Sequence, residues 1–313
     1  MTEHLWCERY RPKTVAACIL PERVKAPFAQ YVANKVIPNM MLCGTAGTGK
    51  TTIARAMCEE AGLNHMLINS SDERGIETLR GKITSYASTV SLTGGHKVII
   101  LDEADSITPD AQKALRGAIE AFSSNCSFIF TCNYKAMLIE PLHSRCSVVD
   151  FTLRADEKPK MALLFSKRLG EILTTEGVTF QKGMLATIIS KFFPDFRRTI
   201  NELQRYASVN KTIDDSVLSL INDVRNLEDL IKALREKNFT AMRSWVGKNS
   251  DTDQAQIFRR VYDGLYTFMQ PKSIPQAVVI LGRYQYQGAF VSDQEINAAA
   301  CFTEMMVDCE FKA

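Results

Sequence analysis

The stretch G-T-A-G-T-G-K-T at residues 44–51 limits what this chain can fold into more than any other feature. It satisfies G-x-x-x-x-G-K-[ST] at every fixed position, follows the short apolar run Met40–Cys43 and opens a helical pattern over Thr52–Ala61. Strand, glycine loop and helix in that order build a phosphate cradle. Gly44, Gly47 and Gly49 let the backbone wrap close to phosphate oxygens, and the helix N-terminus turns N–H donors and a positive dipole end towards them. Lys50 suits the β- and γ-phosphates of a nucleoside triphosphate, and the Thr51 hydroxyl suits Mg²⁺. The expected nucleotide contacts are therefore Gly47, Thr48, Gly49, Lys50, Thr51 and Thr52, with ATP and Mg²⁺ as the ligands.

A second half-site lies downstream. V-I-I-L-D-E-A-D at residues 98–105 is an apolar strand ending in carboxylates, placing Asp102 and Glu103 at the C-terminal edge of a sheet. Asp102 would join Thr51 in the metal shell and Glu103 would polarise an attacking water. The same carboxylates also suit a helix cap. S-F-I-F-T-C-N at 127–133 ends in Asn133, whose amide suits either a γ-phosphate sensor or a turn. S-R-C at 144–146 offers Arg145, a planar and permanently charged partner for transition-state phosphate. P-D-F-R-R at 194–198 opens a helix whose Arg197 could close over the nucleotide, with Arg198 as the alternative.

Met40–Cys43, His65–Ile68, Lys97–Leu101, Ser127–Thr131 and Val148–Phe151 read as strands separated mostly by helical patterns, the signature of an α/β parallel sheet with helices on both faces. After Phe151 the strand signals stop. Ala155–Thr174, Lys182–Lys191 and Asp195–Ala207 read as helices, and a further all-helical stretch starts near Leu227. The expected division is 1–152, 153–225 and 226–313. A net charge of +3 does not argue for nucleic acid by itself, so any such site is a local patch. Nine cysteines without a C-x-x-C pair argue against a zinc ribbon. No apolar run approaches the roughly 20 residues of a membrane span, and no signal peptide is read at the start, so a cytoplasmic protein without a membrane partner is expected.

These residues resemble the clamp-loader subunits of the AAA+ class, similar to the small subunits of replication factor C. The resemblance extends to W-C-E-R-Y-R-P-K-T at 6–14, N-S-S-D-E-R-G-I at 69–76, D-E-A-D-S-I-T-P-D-A-Q-K-A-L-R at 102–116 and Y-Q-Y-Q-G-A at 284–289. Within that family C-I-L-P at 18–21, S-S-N-C-S at 123–127 and P-D-F-R at 194–197 look most like T-even-type bacteriophage loaders, which would place the chain in a host cytoplasm. The resemblance implies an AAA+ P-loop domain, a small helical lid and an all-α collar for oligomerisation. It implies adenine contacts at Cys7, Glu8, Arg9, Tyr10 and Ile19. It makes Arg145 a finger acting in a neighbouring subunit's site, Arg197 the lid's phosphate sensor and Asn69 a partner that can hold Glu103 inactive. It also implies a DNA-stimulated ATPase within a five-subunit spiral of like and unlike subunits, with a ring-shaped sliding clamp and primer–template DNA as partners. Two helices, Ile76–Ser88 and the one capped by Thr108 and Pro109, would line the DNA path through Arg80, Lys82 and Gln112, with Lys113 and Arg116 nearby. These side chains equally suit a solvated face. Ile119 and Phe122 are either clamp anchors or core. The other readings are a different AAA+ DNA-remodelling motor, or a nucleotide-binding scaffold that does not hydrolyse.

Overall fold

Each of the five apolar runs enters one parallel sheet, within one residue of its expected ends. The computed structural model describes residues 4–72, 75–89, 96–209, 211–213, 227–250 and 253–312. In it β1 (Met40–Cys43), β2 (His65–Asn69), β3 (Lys97–Asp102), β4 (Cys126–Cys132) and β5 (Ser147–Asp150) pair in the order β2-β3-β4-β1-β5.

Alternate residues of the strands serve two cores. Met40, Leu42, Val98, Ile100 and Ile129 pack with Phe28, Ile53 and Met57 from α2 (Glu22–Ala33) and α3 (Lys50–Ala61). Met41, Ile99, Leu101, Phe128 and Phe130 pack on the opposite face. There they meet Leu79 and Ile83 of α4 (Ile76–Ser88) and Leu115 and Ile119 of α5 (Pro109–Ala121). Each fully buried side chain of this kind stabilises the fold by about 1.5–3 kcal/mol. The connection leaving β1 crosses β4 on its way to β2, while the one leaving β4 crosses β1 to reach β5 by way of the short α6 (Glu140–His143). The crossovers thus diverge between β1 and β4, and a crevice opens at the strands' C-terminal ends.

Met1–Val217 forms one compact unit. It also contains a short α1 (Trp6–Arg9), α7 (Lys158–Thr175), α8 (Lys182–Phe192) and α9 (Phe196–Val209). The expected boundary near 152 runs inside this unit, and the one near 225 lies outside the described residues. The strand signals do not stop at Phe151: β6 (Thr179–Phe180) and β7 (Thr212–Ile213) pair in parallel. Two-residue strands are too short to show alternation, which is why the sequence reading passes over them.

Leu218–Ala313 forms a second unit. Its described elements are α10 (Leu227–Arg235), α11 (Phe239–Lys248), α12 (Gln254–Phe268), α13 (Ile274–Gly288) and α14 (Gln294–Asp308). Leu230, Leu234, Met242, Val261, Phe302 and Met305 share one core. Asn238, Asp253 and Asp293 each accept a backbone N–H at a helix start, which sets where α11, α12 and α14 begin. Among the described residues, no helix is long and apolar enough to cross a membrane.

Candidate nucleotide-binding site

The glycine loop leaves β1 and turns directly into α3. Gly47 and Gly49 sit at φ 74° and 90°, a left-handed backbone that disfavours any side chain. An added Cβ at Gly47 would also run into the Asp195 carboxylate. The backbone N–H of Phe196 donates to Gly47 O at 3.0 Å, so the start of α9 rests on the loop.

Lys50 is 8% exposed. Its Nζ donates to Gly44 O at 2.7 Å, Thr45 O at 2.8 Å and Asn133 Oδ1 at 3.0 Å. Burial pushes its pKa down, and the negative charges of Asp102 and Asp105 oppose that shift. The backbone N–H of Asn133 donates to Asp105 Oδ2 at 3.0 Å, which holds the main chain that carries the side-chain amide. Thr51 Oγ1 and Thr131 Oγ1 each donate to Asp102 Oδ1 at 2.5 Å. The hydroxyl and the carboxylate are hard oxygen donors that converge on one point, which suits a small divalent cation.

Glu103 has φ 54° and ψ 45°, a left-handed conformation that costs a non-glycine residue about 1–3 kcal/mol. Its N–H donates to Thr131 Oγ1 at 3.1 Å. Its Oε2 accepts a hydrogen bond from Ser71 Oγ. Asn69, the expected partner, is used otherwise: its Oδ1 accepts from Ser71 N at 3.2 Å and its Nδ2 donates to Asp72 Oδ2 at 2.7 Å. The amide closes the turn after β2 and presents Ser71 to the carboxylate. Glu73 and Arg74 of the N-S-S-D-E-R-G-I stretch lie outside the described residues.

One cavity gathers these groups. It is lined by Gly47, Thr48, Gly49, Lys50, Thr51, Thr52, Asp102, Glu103 and Asn133, together with Cys7, Glu8, Tyr10, Ile19 and Arg197. Burial raises the Cys7 thiol pKa, with Glu8 adding and the Arg197 charge opposing. Arg9 stands outside the lining, where its Nη1 donates to Glu176 Oε1 at 2.6 Å. Tyr10 OH donates to the same oxygen at 2.5 Å. Arg198 also turns away, its guanidinium 5.0 Å from the Phe192 ring. Trp6 N donates to Gln204 Oε1 at 2.8 Å, so the N-terminal box is seated on α9.

The sequence reading misses Arg11, Phe165, Arg168, Ile172, Phe196 and Ile200, which also line the cavity. One signal was available. Arg168 lies three residues after Phe165 and four before Ile172, a cation on an otherwise apolar helix face. Its Nη2 donates to Tyr10 O at 3.2 Å, joining α7 to the N-terminal box.

Two candidates fall elsewhere. Arg145 is not in the cavity lining. Its Nε donates to Glu120 Oε1 at 2.8 Å and its Nη2 pairs with the same oxygen, while Nη1 donates to Pro141 O at 2.8 Å. Gln112 is not at the surface as the DNA reading required. It is 2% exposed, its Nε2 donates to Ile107 O at 3.0 Å and Met137 O at 3.1 Å, and its Oε1 accepts from Ile139 N at 2.8 Å. The buried positions of α5 are Ala111, Gln112, Leu115 and Ile119, so Gln112 lies on the packed face. A buried glutamine is sustained because every polar atom of its amide is bonded. Ile119 is core at 3% exposure, whereas Arg80 and Lys82 are exposed on α4.

Residues 40–153 match the model of the ATPase family associated with various cellular activities (AAA). Residues 157–219 match the AAA+ ATPase lid domain of the sliding-clamp-loader large subunit. The sliding-clamp-loader large subunit of Enterobacteria phage T4 is 35% identical over 315 residues, covering 99% of this chain and 98% of that protein. The replication factor C small subunit of Archaeoglobus fulgidus is 36% identical over 273 residues, covering 82% and 84%. Among solved structures, the Thermotoga maritima RuvB Holliday junction branch migration motor aligns with a TM-score of 0.53 at 18% identity, over 77% of this chain and 87% of that one, a likeness of fold alone. With its ATPase motifs gathered at one cavity and its relatives matched along nearly the full length, the chain belongs to the clamp-loader family of AAA+ ATPases, alongside the sliding-clamp-loader large subunits and replication factor C small subunits.

Proposed function

We propose that this chain is an ATPase subunit of a DNA-replication clamp loader in which ATP binding opens a ring-shaped sliding clamp and hydrolysis, triggered by primer–template DNA, releases it. The observation that carries this reading is the separation of Arg145 from a cavity that already holds Lys50, Thr51, Asp102, Glu103, Asn133 and Arg197. The cavity has what nucleotide binding and water activation need, yet the most suitable transition-state cation faces elsewhere. A neighbouring subunit's Arg145 would supply it, which makes hydrolysis depend on assembly.

In this reading Lys50 exchanges its three acceptors for β- and γ-phosphate oxygens, and Arg197 closes from the lid. Thr51 and Asp102 would hold Mg²⁺, which when bound neutralises phosphate charge. Glu103 positions and deprotonates the attacking water once Ser71 releases it. The N-terminal box and Ile19 meet the adenine. The second unit serves as a collar in a five-subunit spiral. Arg80 and Lys82 on α4, with Lys113 and Arg116 on α5, would track a DNA backbone by charge without reading sequence. Gln112 has no part in that contact.

The reading is tested by ATP turnover of the reconstituted assembly with and without primer–template DNA and clamp. Stimulation by the two together is expected; no stimulation would sink it, and a nucleotide-binding scaffold would show no turnover at all. A second outcome concerns the resting state. Ser71→Ala is expected to raise DNA-independent turnover roughly tenfold, the scale of one charge-assisted hydrogen bond. Unchanged basal turnover would mean that the Ser71–Glu103 contact does not restrain the base.

A further inference from the structure

Beneath the nucleotide cavity lie two thiols that the proposed chemistry does not use. Cys43 and Cys132 stand directly opposite each other in the parallel register of β1 and β4. Both belong to the core on the α4–α5 side of the sheet, both are free, and their sulfurs are 3.3 Å apart. Neighbouring strands lie about 4.7–4.9 Å apart, within the Cα separations of about 4.4–6.8 Å that a disulfide spans. The pair is placed for bonding without any change of register.

Its surroundings add a route and a consequence. Cys132, but not Cys43, is among the residues that line the cavity, so a small polar oxidant that enters there comes beside the pair. The Cys132 thiol donates to Cys43 Sγ, which holds the Cys43 pKa below its ordinary value; the same bond, with burial, pushes Cys132 up. Each cysteine directly precedes an acceptor of Lys50, Gly44 O after Cys43 and Asn133 Oδ1 after Cys132.

We propose that Cys43 and Cys132 form a reversible disulfide when hydroperoxide enters the cavity, and that the cross-link closes the site to ATP. One of the two sulfurs, as its thiolate, attacks one peroxide oxygen and the O–O bond breaks. The departing hydroxide takes up the proton released by that thiol and becomes water, leaving a sulfenic acid on the sulfur that attacked. The other sulfur then attacks it, the S–S bond forms and the S–O bond breaks. The second hydroxide leaves as water with the remaining thiol proton. Two thiols and one hydrogen peroxide give one disulfide and two waters; the thiols lose two electrons and the peroxide gains them.

Closing the sulfurs to about 2.05 Å ties the ends of β1 and β4 together. The two acceptors they carry are then fixed around Lys50, so its ammonium stays between them instead of meeting phosphate. Linkage makes the effect reciprocal: bound ATP opposes the cross-link by the factor by which the cross-link weakens ATP.

The proposal rests on the cavity being the nucleotide site and is independent of clamp and DNA. The full chain is treated with hydrogen peroxide, with and without excess ATP and Mg²⁺. Disulfides are located by non-reducing peptide mass spectrometry, and affinity is read with a fluorescent ATP analogue. We expect a Cys43–Cys132 linkage and an affinity loss of at least about tenfold, within the usual range of site coupling and reversed by dithiothreitol. ATP should slow the linkage by a similar factor. Cys43→Ser should bind ATP as the unaltered chain does and keep its affinity after peroxide. The proposal is overturned if Cys7 or Cys146 is oxidised while Cys43 and Cys132 stay reduced, if the cross-linked chain binds ATP unchanged, or if Cys43→Ser loses affinity equally. Failure of the nucleotide reading itself would show differently, as no ATP binding before oxidation.

Discussion

Replacing Arg145 with alanine should leave ATP affinity of the isolated chain unchanged and lower turnover of the assembled loader by about 10³-fold or more, the scale of a lost arginine finger. The geometry separates the two readouts. Arg145 makes its bonds to Glu120, Pro141 and Ser144, not to any group lining the cavity, so removing it alters no nucleotide contact within its own chain. The Glu120 carboxylate, held below its usual pKa by the hydrogen bond from Arg145, occupies the guanidinium's Nε–Nη2 edge. A neighbour's phosphate would have to be met by the remaining donors or by displacing Glu120. Fluorescent nucleotide titration and steady-state ATPase assays report the two quantities. Undiminished turnover would refute the role in trans, and weakened binding by the lone chain would place the arginine in its own site.

Glu103→Gln should lower turnover by about 10²–10⁴-fold while leaving ATP binding intact. The amide keeps the shape of the carboxylate and can still accept from Ser71, so the turn at 69–72 and the left-handed backbone at 103 have no reason to change. It lacks the basic oxygen that takes a proton from water. A substitution at Lys50, by contrast, is expected to act on ATP binding, so the affinity measurement separates the two. If Glu103→Gln turns over normally with DNA and clamp present, another group is the base. Asp102 would then be the neighbour to examine.

The phosphate loop was readable because its residues are consecutive: one strand, one turn and one helix start supply all of its geometry. Asp102, Glu103 and Asn133 were readable because a parallel strand that ends in a polar residue delivers it to the same sheet edge as the loop. The cavity collects all of them. Of the N-terminal box residues named by resemblance, Cys7, Glu8 and Tyr10 line the cavity, whereas Arg9 takes Glu176, just past the end of α7 and more than 160 residues away. Gln112 was misplaced because a polar side chain beside Lys113 and Arg116 reads as part of a solvent face. Packing against the loop at 137–139 decided its direction.

Sequence alone determined the candidate chemistry of this protein: a glycine loop, a buried-strand carboxylate pair and the single arginine of S-R-C, each set by local spacing and by the charge and shape of its side chains. Tertiary structure alone decided the partners. It chose Ser71 over Asn69 for Glu103, brought Arg168 to the N-terminal box, tied Arg145 to Glu120 and set the Cys43 and Cys132 sulfurs 3.3 Å apart. The physical reason is the same in each case. A side chain's type fixes what it can bind, but which donor meets which acceptor depends on strand order and helix packing, and these join residues far apart in the chain.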